Sequence, residues 1–138
     1  MMFRLLLLSL TICVSAACSN DQPPLVAENV VITQPIPGMR MSAGYMTLHN
    51  SSDSQILINR IESPDLESVQ MHETVLDDGI SRMRPLPMVA IPAGQAVTFE
   101  AGGKHLMLRH LSQTPDTVRL QLFSDETLIL SINVNPEE

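Results

Sequence analysis

The sequence predicts an all-β domain, an antiparallel β-sandwich of roughly seven or eight strands, a usual number for such folds at this size. Short runs rich in β-branched and apolar residues recur at regular intervals, and turn signals separate them. No stretch after residue 18 keeps a helical apolar period over three turns. The length of 138 residues suits one such domain, and the chain contains no internal repeat.

Residues 1–18 have the composition of a secretory signal peptide. Arg4 supplies a positive charge, residues 5–14 form an apolar run, and three small residues precede Cys18. The run is too short to span a membrane stably. We therefore expect the chain to be exported, with no other transmembrane candidate in the mature part.

Cys18 is a candidate lipidation site. Small residues before it and the polar segment 19–21 after it look like a bacterial lipoprotein processing site, although Ser15 stands where such sites usually have Leu. The sequence allows two ways of processing this segment. Either Cys18 becomes the lipid-bearing first residue, or ordinary cleavage after Ala17 or slightly later leaves it unmodified or removes it.

The mature chain is acidic and has no cysteine pair. A polar linker at 19–24 leads into the domain at 25–138. Cys13 lies in the signal peptide, so the domain contains no internal disulfide and no thiolate ligand. Removal of Arg4 leaves seven basic against fifteen acidic side chains, a net charge of −8. With only three aromatic residues as well, this surface argues against nucleic-acid binding.

Each strand is predicted from a run of strand-forming residues between turn signals. The predicted strand segments are 30–32, 45–49, 56–61, 68–75, 80–86, 97–99, 105–111, 118–123 and 128–134. The strongest turn signal is Asp77-Asp78-Gly79, which predicts a hairpin between two of them.

Two histidines and two methionines are the candidate metal ligands. Ten residues separate His72 from Met83, twenty-one separate Met83 from His105, and one separates His105 from Met107. Imidazole and thioether donors together suit the soft Cu(I) ion. Zinc sites more often include a carboxylate or a thiolate.

Strand alternation brings His105 and Met107 to one face. Residues two apart in a strand point the same way, so His105 and Met107 form a two-donor clamp. Leu106 and Leu108 then point to the core. His72 and Met83 lie on the two arms of the predicted hairpin, which folds them towards each other.

Taken singly, each of these residue types has a more ordinary role. A lone Met usually fills a gap in a core, and a lone His is usually a surface or hydrogen-bonded residue. The metal hypothesis depends on four positions that fit one pattern together. Met71 is assigned to the core, so His72 is chosen as the ligand. Met39 and Met41 are expected in a loop, where packing is favoured over a methionine lip that guides copper. The remaining assignments are a core position for Met46, a strand end for Met88, and surface positions for Glu73, His49 and His110, with Glu73 also able to orient a ligand ring.

Several segments resemble the PCuAC family of periplasmic copper chaperones, whose signature is His-x10-Met-x21-His-x-Met. The similarity covers most of the mature chain. The matching segments are A-G-Y-M-T-L at 43–48, H-E-T at 72–74, M-R-P at 83–85, I-P-A-G at 91–94 and G-K-H-L-M-L at 103–108.

The resemblance implies a cupredoxin-like sandwich that binds Cu(I) through His72, Met83, His105 and Met107. It implies a monomeric carrier in the periplasm of a Gram-negative bacterium, anchored to a membrane if Cys18 is lipidated. Such a carrier loads the copper centre of cytochrome c oxidase by ligand exchange, alongside a Sco-type thiol protein. No catalytic motif is present, so we expect a protein that is not an enzyme.

Three other functions compete with delivery. A copper buffering or resistance protein would use the same ligands. A β-sandwich interaction module would carry its Met and His residues incidentally. A copper enzyme is the least favoured, because four protein donors leave no open position for a substrate.

Overall fold

The computed structural model describes residues 23–112 and 114–137, and this part of the chain contains eleven β-strands and no helix. The predicted signal peptide and most of the predicted linker lie outside the described residues. In chain order the strands are β1 (Leu25–Ile32), β2 (Met41–Asn50), β3 (Ile56–Ile58), β4 (Arg60–Glu62), β5 (Ser68–Asp77), β6 (Ile80–Pro85), β7 (Val89–Ile91), β8 (Ala96–Phe99), β9 (Lys104–Arg109), β10 (Val118–Ser124) and β11 (Thr127–Val134).

The strands form two layers, and every strand pair is antiparallel. A six-stranded sheet has the order β1-β2-β9-β5-β6, with β8 also paired to β2. The other layer consists of the three-stranded sheet β11-β10-β4 and the two-stranded sheet β3-β7. This architecture confirms the predicted all-β antiparallel sandwich.

The hydrophobic core lies between the two layers. On β2, Met46 and Leu48 are buried, and they alternate with half-buried residues such as Tyr45. On β9, Leu106 and Leu108 are fully buried. We call the core-facing side of the six-stranded sheet its inner face and the opposite side its outer face. The predicted core positions of Met46 and of the β9 leucines are therefore correct.

The hairpin between β5 and β6 turns at Asp78 and Gly79, both with positive φ, at 49° and 77°. Two such residues form the turn type whose twist matches paired strands, as the Asp-Gly sequence predicts. β6 is the last strand of the sheet and is exposed along its whole length. The hairpin thus places Met83 on an exposed edge strand.

Several strand boundaries differ from the predictions, and the strand count is higher. The predicted strand 56–61 is divided into β3 and β4, which pair with different strands. At the break, the Asn59 amide donates to an Asp125 carboxylate oxygen at 2.8 Å and accepts from the Asp125 N–H at 2.9 Å. These bonds tie the segment to the turn between β10 and β11. The short β7, bounded by prolines, was not predicted.

β2 begins at Met41 rather than at residue 45. Its first half pairs with β9 and its second half with β8, so the strand runs past both partners. Gly44 lies where β2 passes β9 closely. A Cβ atom there would lie 3.0 Å from Leu108 Cδ1 and 3.2 Å from Leu106 Cβ. The prediction that Met41 lies in a loop is therefore wrong.

The position of His110 also differs from its prediction. It was expected on the surface, but it lies beyond the end of β9 with only 1% of its area exposed. Its N–H donates to the Arg40 carbonyl, and its ring Nε2 lies 2.7 Å from the Ser42 hydroxyl oxygen. The surface prediction for His110 rests on its position outside the spaced ligand pattern, whereas its burial depends on a partner from β2.

We expect Gly44→Ala to lower the free energy of unfolding by about 1–3 kcal/mol, because the new methyl group overpacks the contact with Leu106 and Leu108. Urea unfolding of the two proteins measures this. Gly103→Ala is the matched control, since its Cβ would meet only Glu100, with the flexible side chain at 3.4 Å and the carbonyl oxygen at 3.7 Å, both ordinary contact distances. Equal stability of the two variants would contradict the close approach of β2 and β9.

Candidate metal centre

The β5–β9 pairing brings the two predicted histidine ligands together on the outer face. His72 lies directly opposite His105, and their ring centroids are 6.1 Å apart in an edge-to-face arrangement with an interplanar angle of 79°. Opposite residues of an antiparallel pair point to the same face. Two imidazoles 33 positions apart in the sequence are thus neighbours.

The hydrogen bonding of His105 leaves one of its ring nitrogens with a free lone pair. Its side chain lies on the outer face but is only 7% exposed. Ring Nδ1 lies 3.0 Å from the Gly103 carbonyl oxygen, which can only accept, so Nδ1 carries the proton. Nε2 then bears the lone pair, and this buried atom has no hydrogen-bond partner within the described residues. An orphaned buried imidazole nitrogen is costly unless something binds it.

His72 is neutral near physiological pH for a physical reason. Burial, and then the repulsion that two protonated rings side by side would have, lower the pKa of His72 below the usual 6.5. Its Nδ1 is also buried, with no hydrogen-bond partner among residues 23–112 and 114–137. A neutral imidazole has a free lone pair, which is the form that binds metals.

The two methionines differ in exposure. Met107 is half-buried and lies opposite Gln70 on β5 and Ala43 on β2. Met83, on β6, lies opposite Thr74 on β5 and is 54% exposed. Relative to His72, Met83 is the diagonal neighbour on the same face. All four predicted ligands therefore lie on the outer face of three adjacent strands.

A cavity of about 390 Å³ joins three of the four predicted ligands. Met83, His105 and Met107 line it, whereas His72 lines a separate cleft. The four predicted ligands therefore do not share one pocket. The other residues that line the cavity are Thr33, Gln34, Ile36, Met41, Ser42, Ala43, Tyr45, Thr74, Ala101 and Gly102.

The donors are soft and uncharged. The cavity lining includes no carboxylate. The part of the chain that the structure describes also contains no group of three or more His, Cys, Asp or Glu side chains able to hold a metal ion. Hard ions prefer oxygen ligands, while thioethers and imidazoles suit Cu(I). The arrangement is chemically suited to a soft univalent ion.

Other candidate residues fall outside the centre, with one exception. Met41 lines the cavity together with three of the four predicted ligands. Met39 and Met88 are exposed. The carboxylate of Glu73 pairs with Lys104 at 2.8 Å instead of orienting a ring. His49 lies on the surface as predicted, 3.2 Å from a carboxylate oxygen of Glu28.

Solved structures similar to this one include PCuAC domains. The copper-bound PCuAC domain from PmoF2 superimposes with a TM-score of 0.65 at 22% identity, over 83% of this chain and 92% of that one. The solution structure of apo-DR1885 from Deinococcus radiodurans gives 0.62 at 23% identity, over 100% and 97%. The chain therefore has the PCuAC-domain, cupredoxin-like fold that its motifs predicted.

Sequence comparison gives the family. Residues 25–128 match the family described as "Putative lipoprotein LpqE-like". A protein of Leifsonia xyli subsp. xyli (strain CTCB07), named "Putative lipoprotein Lxx21020", is 30% identical over 111 residues, which are 77% of this chain and 67% of that protein. The chain belongs to the LpqE-like lipoprotein family. No helix of the described residues is long and apolar enough to cross a membrane.

The lowered histidine pKa values predict a pH-dependent stability of the metal-free protein. Burial lowers the pKa of His110 as well as that of His72. Below 6.5 the unfolded chain therefore binds more protons than the folded chain. Stability should be full above this pH and fall as the pH drops from there towards the lowered values, by at most about 1.4 kcal/mol per pH unit for each histidine.

Urea unfolding between about pH 5 and 7 measures this slope. His110→Gln removes one of the two groups and should reduce the slope, while His110 and His72 should titrate below 6.5 by NMR in the parent. Stability that stays constant or rises on acidification would contradict the burial of these rings.

Proposed function

We propose that this protein is a Cu(I) carrier of the cell envelope that binds its cargo through His72, Met83, His105 and Met107. The observation that carries the proposal is the buried Nε2 of His105, which has no hydrogen-bond partner among the described residues, beside a cavity lined by His105 and by both proposed methionine ligands. His72 completes the set from the neighbouring strand. Thioether and imidazole donors of this kind suit Cu(I).

The donor set favours release as well as binding. No thiolate or carboxylate neutralises the ion, so an acceptor with thiolates can take it by ligand exchange. Met83, on the exposed edge strand, is the donor that an incoming ligand can displace most readily. Catalysis has no role in such an exchange, and we propose that the protein is not an enzyme.

The proposed acceptor is the copper centre of cytochrome c oxidase, with a Sco-type thiol protein as partner. Support comes from the motifs shared with PCuAC chaperones and from the copper-bound relative of the same fold. In this proposal the carrier works as a monomer in the periplasm of a Gram-negative bacterium. The lipoprotein names of its family and of its relative support an anchor at Cys18.

Copper delivery and copper buffering predict different effects of deleting the gene in cells. Deletion of the gene should lower oxidase activity when copper is scarce, and added copper should restore it. Normal oxidase activity together with copper sensitivity would instead indicate buffering. Restoration by the parent, but not by a Met107→Ile variant, ties the effect to the metal centre.

Met107→Ile should weaken Cu(I) binding by roughly tenfold or more, equivalent to ~1.4 kcal/mol, because a carbon chain offers no lone pair. Unfolding free energy should change by less than about 1.5 kcal/mol, as for other volume-conserving swaps. Met46→Ile is the matched control, since Met46 is 2% exposed in the core, and it should bind Cu(I) like the parent. Titration against a chromogenic Cu(I) chelator measures both. Parent-like binding by Met107→Ile would refute the ligand assignment.

The protein should prefer Cu(I) to Zn(II), because two of its four proposed donors are thioethers and none is a thiolate. Competition titrations under anaerobic conditions compare the two ions. Equal or tighter binding of Zn(II) would count against this ligand set.

A further inference from the structure

The cavity on the outer face is lined by further residues besides the three proposed ligands that border it. At one end, strand register places Met83 level with Thr74 on β5, and both line the cavity. At the other end, Met41 on β2 lies opposite Arg109. His105 and Met107 lie between these ends on β9. The cavity is therefore elongated, with Met83 at one end, Met41 at the other, and His105 and Met107 between them.

Met41 is placed to share an ion with Met107. Ala43 lies directly opposite Met107, and Met41 is two residues further along β2 on the same face. Such diagonal neighbours have backbones about 7–8 Å apart, within reach of long side chains. Met41 is half-buried and lines the cavity, whereas the core methionines Met46 and Met71 are on the inner face. Small Ala43 leaves space between the two thioethers.

We propose that Met41 is a further Cu(I) donor, which together with Met107 holds the ion at the β2 end of the cavity during handover to an acceptor. This inference rests on the proposed function. In the step, the bonds from Cu(I) to Met83 and His72 break, and bonds to Met41 and to an acceptor thiolate form. Copper remains Cu(I), His105 and Met107 stay bound, and the proton of the acceptor thiol passes to solvent.

Charge favours the β2 end as the side that an acceptor approaches. Arg109, opposite Met41, is exposed and has no ion-pair partner among the described residues. At the β6 end, Arg82 and Arg84 both pair with Asp77, at 3.5 and 3.1 Å. A neighbouring positive charge stabilises the thiolate form of cysteine. An acceptor thiol near Arg109 would thus be activated beside Met41.

The first test uses protein labelled with ¹³C in its methionine methyl groups, titrated anaerobically with Cu(I) below one equivalent. The resonances of Met83 and Met107 should shift or broaden with Cu(I) alone, and that of Met41 should shift once a synthetic peptide with two cysteine thiols is added as acceptor. Those of exposed Met39 and Met88 should not shift, which excludes general surface binding. A Met41 signal that stays unperturbed after the peptide is added, while Met83 and Met107 respond to Cu(I), would overturn the proposal.

The second test measures transfer of Cu(I) to a synthetic peptide with two cysteine thiols by stopped flow. Met41→Leu should slow transfer at least threefold relative to the parent, because a leucine side chain keeps the cavity wall but has no donor atom. Met39→Leu, the same change in the neighbouring exposed loop, should transfer at the parent rate. Thermal unfolding checks that both variants are folded.

The outcomes separate this inference from the proposed function. If the parent binds no stoichiometric Cu(I), the carrier proposal fails, and this inference with it. If the parent binds Cu(I) and Met107→Ile does not, but Met41→Leu transfers at the parent rate, then Met41 is only a wall of the cavity and this inference alone fails.

Discussion

The pairing register of β5 with β9 is the constraint on which the core and the metal centre both depend. His72 lies opposite His105 on the outer face, while Met71 lies opposite Leu106 on the inner face. A slip of one residue would turn every side chain of β5 to the other face. It would bury an imidazole and expose Met71, so the burial of core residues fixes the position of the ligands. The register that buries the core therefore also holds His72 and His105 side by side, without any further interaction.

Sequence patterns predicted the parts of the fold that depend on nearby residues. The Asp78-Gly79 turn and the alternation along β9 were both correct, because turn chemistry and strand period are local properties. The break at Asn59 was not foreseen, since it depends on hydrogen bonds to Asp125, 66 residues away. The start of β2 at Met41 likewise depends on its partner strands. Long-range pairing is what single-sequence patterns do not contain.

The candidate site shows the same division. Spacing and alternation predicted that His105 and Met107 share a face, and the hairpin predicted that His72 and Met83 approach each other. The assignment of all four as ligands remains a prediction. The role of Met41 in the cavity wall and the burial of His110 were missed. Both residues meet partners from another strand, Met41 beside Met107 and His110 against the Ser42 hydroxyl. An i, i+2 methionine pair before a predicted strand was the available signal for Met41.

The exposed β6 strand has a consequence for how the protein behaves among its own copies. Edge strands present unpaired backbone groups on which another chain can add a strand, and such contacts lead to aggregation. β6 must nevertheless stay uncovered if Met83 is to reach other molecules. Its sequence limits the hazard, because Arg82 and Arg84 would face like charges in a symmetric antiparallel pair and Pro85 has no N–H to donate. The same six residues thus keep the Met83 thioether exposed while making the strand a poor template for self-association.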